Sequence, residues 1–190
     1  MRRMGRAGDS VLGFAILGLL AEASLSGYDV KLRMAEPVGF FWRASHSQIY
    51  PELAKLEAGG MVVHKAVPQS GKPDKKVYEI TADGLLAVRE WVSLPARLGP
   101  TRDEATLKAY LSWLGERGEM AEMFRELGRK HEGQLEKYEE TERWMLREWG
   151  EPEEFGARRF ANYAALRRGI GFEREYAEWC RWVAEKLEGR

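Results

Sequence analysis

"SHSQIYPELAKLEAGGMVVHKAVPQSGKPDKKVYEIT", residues 45–81, carries a helix, a glycine stop and a hairpin in one run. Ser45 followed by Gln48 has the form of a capping box, in which the hydroxyl accepts from the N3 amide and the glutamine reaches back to the cap. Ile49, Leu53 and Leu56 recur at i, i+4 and i+7, one apolar stripe that turns His46, Ser47, Gln48 and Lys55 elsewhere. Pro51 removes one helical hydrogen bond and predicts a bend in the second turn, and Gly59 with Gly60 predicts the stop. Residues 61–66 and 77–80 are β-rich, with Tyr78 and Ile80 facing inward against Val77 and Glu79 outward, and "PQSGKPDK" between them is turn chemistry.

Upstream, the apolar run "VLGFAILGLL" (residues 11–20) follows Arg2, Arg3 and Arg6, the outline of a secretory leader. It is too short to span a bilayer. The competing reading is a buried first helix capped by Ser10, and "SLSGYDVKLRMAE" supports it by leading directly into a second helix, with Ser26 as cap and Tyr28, Val30 and Leu32 as packing residues. Three helices followed by a hairpin predict a winged helix-turn-helix. Thr81 then caps a fourth helix with the stripe Leu85, Val88 and Val92, ending near Pro95.

"SLPARLGPTRD" reads as a boundary. It divides the chain into a winged helix-turn-helix over 1–95 and an α-helical unit over 96–190. In the second unit, helices are predicted over 103–114, over 119–149 between Gly118 and Gly150, and over 153–187 after Pro152. The fold class is therefore mainly α with a small β-hairpin, the second half an antiparallel pair of long helices. On the last helix Tyr163, Leu166, Ile170, Ala177 and Ala184 share a narrow arc, and Phe172, Tyr176, Trp179 and Val183 lie nearly opposite. One long neighbour carrying Met120, Phe124, Leu127, Leu135, Tyr138 and Met145 covers one arc, so Phe172, Tyr176, Trp179 and Val183 are predicted to meet a second copy of the chain.

Composition sets the limits on function. The 190 residues are 44% hydrophobic and 32% charged, an ordinary globular balance. Thirty Lys and Arg cancel thirty Asp and Glu, so a polyanion would have to be drawn by a local patch. With Cys180 as the one cysteine, no disulfide framework is available, which points to a reducing cytoplasm. His46, His64 and His131 lack metal-ligand spacing, Cys180 has no histidine near it in sequence, and the glycines lack the strand-to-helix setting of a phosphate loop. No cofactor, metal site or enzyme is predicted.

These segments resemble the PadR family of bacterial transcriptional regulators. The resemblance rests on "LSGYD" in the second helix, "QIYPELAKLEAGGMV" in the third, "GKPDKKVYEIT" in the wing, "ADG" opening the fourth helix and "REYAEWCRWVAEKLE" near the end. The long second half is similar to the larger PadR subgroup, whose helical tail makes a homodimer. The family implies a cytoplasmic DNA-binding regulator, usually a repressor, with an inducer that differs between members.

The residues are consistent with that implication on their own chemistry. Short polar side chains in the first turn of a major-groove helix can approach base edges: Gln48 can pair bidentately with adenine, and His46 and Ser47 can serve bases or phosphates. Lys72, Lys75 and Lys76, opposed only by Asp74, place positive charge at the wing tip, where backbone or minor groove would lie. Lys55, and the hydroxyls of Tyr28 and Tyr50, complete the expected contact set, although Tyr28 reads equally well as a packing residue with one wet end. Alone, a polar first turn is a cap and a lysine hairpin a solvated turn; on one winged helix they point together to double-stranded DNA and an inverted-repeat operator read by a homodimer. The alternative is a winged-helix protein-interaction module without DNA readout. A small aromatic effector would find walls at Trp42, Trp91 and Trp113, residues that core packing also explains.

Overall fold

The computed structural model describes residues 10–35, 46–69, 72–96 and 102–189. By its internal contacts the chain forms two compact units, Met1–Leu98 and Gly99–Arg190.

The first unit is built around α1 (Val11–Leu20), where Ser10 caps the helix by accepting the Gly13 amide at 2.8 Å. Gly13, Phe14, Ile16, Leu17, Leu19 and Leu20 are buried, so the apolar run is the centre of a folded unit. Around it pack α2 (Gly27–Ala35), α3 (His46–Ala58), β2 (Val62–Gln69), β3 (Lys72–Ile80) and α4 (Ala82–Val92), preceded by the two-residue β1 (Leu25–Ser26). Ile49, Leu53 and Leu56 of α3 enter this core together with Val30 and Met34 of α2, Val62 and Tyr78 of the hairpin, and Trp91 of α4. Fully burying side chains of this size stabilises the fold by about 1.5–3 kcal/mol each, as an upper estimate. Two expectations are corrected here. Tyr28 and Leu32 are exposed on α2, since i, i+2 and i+4 cannot share a helix face, and Val92 is exposed while Trp91 stacks on Phe14 at 4.6 Å.

The sheet order is β1-β3-β2, antiparallel throughout, with Leu25↔Tyr78 and Ser26↔Val77 on one side of β3 and Val62↔Ile80 to Gln69↔Lys72 on the other. The register slips between Val67 and Gln69, where Pro68 has no amide to donate to the ladder. α3 runs through Pro51 and ends at Ala58, and Gly60 beyond it, with a φ of 71°, provides the left-handed stop. Thr81 caps α4 by accepting from the Gly84 amide at 3.1 Å, and its hydroxyl reaches the Gly60 carbonyl at 2.7 Å. A Cβ on Gly84 would stand 2.2 Å from the Met61 carbonyl oxygen, which explains the glycine in "ADG". Likewise a Cβ on Gly27 would stand 2.6 Å from the Tyr50 ring, so this glycine lets α3 lie against the start of α2.

The second unit opens with α5 (Glu104–Tyr110), capped by Asp103, and a 3-10 turn at Ser112–Leu114. α6 (Arg117–Trp149) and α7 (Ala157–Leu187) then run antiparallel, as the pairs Arg117 with Leu187, His131 with Glu173 and Glu142 with Arg167 require. α6 starts two residues before the predicted boundary and runs through Gly118, because the Glu116 carboxylate accepts from the Glu119 amide at 2.8 Å and caps the helix earlier. α7 starts later than predicted: Pro152–Glu154 closes a 3-10 turn and Phe155 is extended before the helix begins.

The opposed arcs of α7 are covered differently from the expectation. Leu166, Ile170, Ala177 and Ala184 are buried, and so is Val183; Tyr176 and Trp179 pack into the same cluster as Ala121 and Phe124. Besides α6, α5 is a second cover, with Ala105 and Ala109 in that cluster and the Tyr176 hydroxyl donating to Asp103 at 2.6 Å. Of the four residues assigned to a partner, Phe172 alone is classed as exposed, at 41%.

Two measurements check this packing. Gly27→Ala is expected to turn the exposed Tyr50 ring aside and to cost no more than about 1 kcal/mol in denaturant unfolding, a loss that should disappear in a Tyr50→Ala background, where no ring opposes the methyl. The Tyr176 hydroxyl, ahead of the Thr106 amide, holds the Asp103 carboxyl below the usual carboxylate range. A depressed carboxyl stabilises the fold above its unfolded pKa and loses that contribution as pH falls through the folded value. Tyr176→Phe should therefore cost about 1 kcal/mol at neutral pH, solvent screening included, and the difference from wild type should vanish well below pH ~4.

Candidate nucleic-acid interface

The first two turns of α3 divide sharply. Ile49, Leu53 and Leu56 are 1%, 0% and 0% exposed, while Ser47, Gln48, Tyr50 and Pro51 lie on the outer side. The inner side is held by more than apolar contact: Glu52 is buried, and its carboxylate accepts the Ser10 hydroxyl from the cap of α1. The Lys55 ammonium, exposed, stands 3.4 Å from the other Glu52 oxygen. The orientation of α3 is thus set by the core, a carboxylate and the Gly27–Tyr50 approach, which leaves its polar first turn facing outward.

Tyr28 is 55% exposed, with the Lys31 ammonium 5.9 Å from its ring centroid. Ser26 and Asp29 form the reciprocal cap of α2: the Ser26 amide donates to Asp29 Oδ2 at 3.1 Å, and the Asp29 amide donates to Ser26 Oγ at 3.2 Å. The corresponding expectation for Ser45 and Gln48 lies outside the described residues through Ser45, as does Trp42; the side chains of His46 and Lys72 are also outside the description.

In the wing, Lys76 is exposed and forms no ion pair among the described residues. Lys75 does not stand at the tip opposed by Asp74 alone. Its ammonium lies 3.1 Å from Asp29 Oδ2, an acid supplied by α2 that no reading local to the hairpin could reveal. Ser26 first, then Lys75, holds the Asp29 carboxyl below its ordinary range. On the neighbouring strand Lys65 pairs with Glu79 at 2.9 Å.

The remaining candidates separate. Trp91 is stacked in the core of the first unit, and Trp113 is 77% exposed in the second. Sequence reasoning did not find a cleft of about 430 Å³ among α5, α6 and α7, floored by Met123, Leu127 and Tyr176 and rimmed by Arg102, Lys108, Lys130 and acidic neighbours. Cys180 is fully buried, which pushes its thiol up to about 11 and makes it a packing group. His64 pairs with Glu57, and His131 stacks on Tyr176 at 4.1 Å while meeting Glu173 at 2.5 Å. Among the described residues no group of His, Cys, Asp and Glu could hold a metal ion, and no helix is long and apolar enough to cross a membrane.

Chemically, the N-terminus of a rigidly seated helix presents amides and short polar side chains, with a basic hairpin on the same unit. That arrangement suits a duplex, with side chains aimed at base edges and the hairpin at the backbone. Comparison with known proteins agrees with it. Residues 16–90 match the transcriptional regulator PadR-like family, and residues 101–188 match the virulence activator alpha C-term family. Over 179 residues the chain is 34% identical to the negative transcriptional regulator PadR of Bacillus subtilis (strain 168), covering 94% of this chain and 98% of that protein. The crystal structure of that PadR in complex with operator DNA superposes with a TM-score of 0.79 at 31% identity, over 94% of this chain and 99% of that one. Its complex with p-coumaric acid superposes at 0.76 with 29% identity, over 94% and 99%. The virulence activator AphA of Vibrio cholerae superposes at 0.73 with 26% identity, over 94% and 98%. The chain belongs to the PadR-like family of transcriptional regulators.

Proposed function

We propose that this transcriptional regulator is a cytoplasmic homodimer that binds an inverted-repeat operator, most simply as a repressor, with α3 in the major groove and the β2–β3 wing on the backbone. One observation carries the reading: α3 buries Ile49, Leu53 and Leu56 completely enough to fix its axis while turning Ser47, Gln48 and Tyr50 outward. Gln48 is assigned to base readout, Ser47 and Tyr50 to bases or phosphates, and Lys55 and Lys76 to phosphates. Repression rather than activation is supported by the higher identity to the negative regulator of Bacillus subtilis than to AphA. The p-coumaric acid complex of that relative supports a small aromatic effector here.

A dimer is supported by apolar surface that the second unit leaves exposed: Tyr110, Trp113 and Leu114 around α5, and Phe160, Phe172 and Trp182 on α7. Each is a large apolar side chain that a second copy of the chain would cover.

Readout and positioning separate by mutation. Gln48→Ala should cost ~1–3 kcal/mol on a duplex selected from a random pool and little on scrambled DNA. Lys76→Ala should weaken binding to both duplexes about equally and lower the salt slope by about one. An unchanged melting temperature of the Gln48 variant would exclude a loss of helix stability as the cause. In sedimentation at micromolar concentration the protein should run at twice its 21.8 kDa chain mass, and a species of 21.8 kDa would contradict the dimer.

A further inference from the structure

Lys75 occupies a distinctive place in the wing. β1 is two residues long and pairs with β3 only at Leu25↔Tyr78 and Ser26↔Val77. Two residues further towards the tip, on the same face of β3 as Val77, the Lys75 ammonium lies 3.1 Å from Asp29 Oδ2. That oxygen also accepts the Ser26 hydroxyl at 2.7 Å and the Ser26 amide at 3.1 Å. Ser26 itself belongs to β1, so one carboxylate oxygen joins the cap of α2, the short strand and the wing. Beyond Lys75 the strand has β2 as its ladder neighbour.

We propose that Asp29 and Lys75 form a strut that fixes the angle of the wing against α2, so that Lys75 is a positioning residue for DNA binding rather than a phosphate contact. This rests on the DNA-binding reading above. The pair is partly exposed, with both side chains near 36–38% accessible, and an ion pair of that exposure adds little to global stability. Its effect lies in geometry: a hairpin arm tied only at its base swings, and the exposed Lys76 swings with it. An isolated phosphate contact and a strut make opposite predictions for Asp29. Neutralising an acid beside a polyanion strengthens binding if Lys75 is thereby released to a phosphate, and weakens it if the wing loses its anchor.

The test uses the full chain with Asp29→Asn, Lys75→Gln and the double variant; asparagine retains an oxygen to accept from Ser26. Against the selected duplex, each single variant should bind about three- to tenfold more weakly and the double no more weakly than either, the signature of a shared interaction. The salt slope should stay at the wild-type value in all three. In the free proteins, hydrogen exchange of the amides at 74–77 should rise several-fold while that of α1 stays unchanged. Tighter binding by Asp29→Asn, a slope lowered by about one in Lys75→Gln, or unchanged exchange would overturn the strut. Wild-type protein that does not distinguish the selected from the scrambled duplex would instead overturn the DNA-binding reading, and the exchange measurement then decides the strut alone.

Discussion

The packing of α3 on α1 is the constraint from which the rest follows. α1 is apolar nearly all round and contributes no polar face of its own, so it is stable only when surrounded. α3 covers it with Ile49, Leu53 and Leu56, α4 with Trp91 on Phe14, and the hairpin with Val62 and Tyr78. A helix seated by three fully buried side chains has little freedom to roll, and Glu52 beneath it, bonded to the cap of α1, ties its position along the axis as well. The polar first turn of α3 is presented outward as a consequence of how its other face is buried. Preorganisation of this kind lowers the ordering cost of binding, which is the advantage of mounting readout residues on a helix rather than a loop.

The glycines at the joints serve the same end. Gly84 lets α4 start directly against the Met61 carbonyl, and Gly27 lets the Tyr50 ring close on α2. At Gly84 the obstacle to a side chain is backbone, and at Gly27 it is the outer edge of the Tyr50 ring. The second unit follows a different logic: two long helices joined at Gly150 bury a seam from Phe124 to Met145 on one side and Leu166 to Ala184 on the other, with α5 closing over Tyr176. It leaves large aromatic side chains outside, among them Tyr110, Trp113, Phe160 and Trp182.

Much of this was legible in the sequence because it is local. Caps at Ser10, Ser26 and Thr81, the i, i+4, i+7 stripe of α3, the stop at Gly60 and the alternation of β3 are short-range signals with short-range causes. What stayed hidden depends on partners far apart in the chain. β1 is too short to show a period and exists because β3 passes beside it. The cover of α7 by α5 joins Asp103 to Tyr176 across the length of the unit, so the packing of Tyr176, Trp179 and Val183 within one chain leaves no local signal. Lys75 has the local pattern of wing-tip charge, since Asp29, its partner, lies on α2. The outward placement of Ser47, Gln48 and Tyr50 is legible because it follows from the stripe, whereas the surroundings of a wing lysine depend on tertiary contact.

The central claim is that this chain reads DNA sequence through α3. Selection from a random duplex pool at physiological salt tests it most directly, since it presupposes no promoter. The account predicts enrichment of an inverted repeat whose half-sites are spaced by about one helical turn or a multiple of it. A pool that remains random after successive rounds, with the protein folded and binding all duplexes alike, would contradict it.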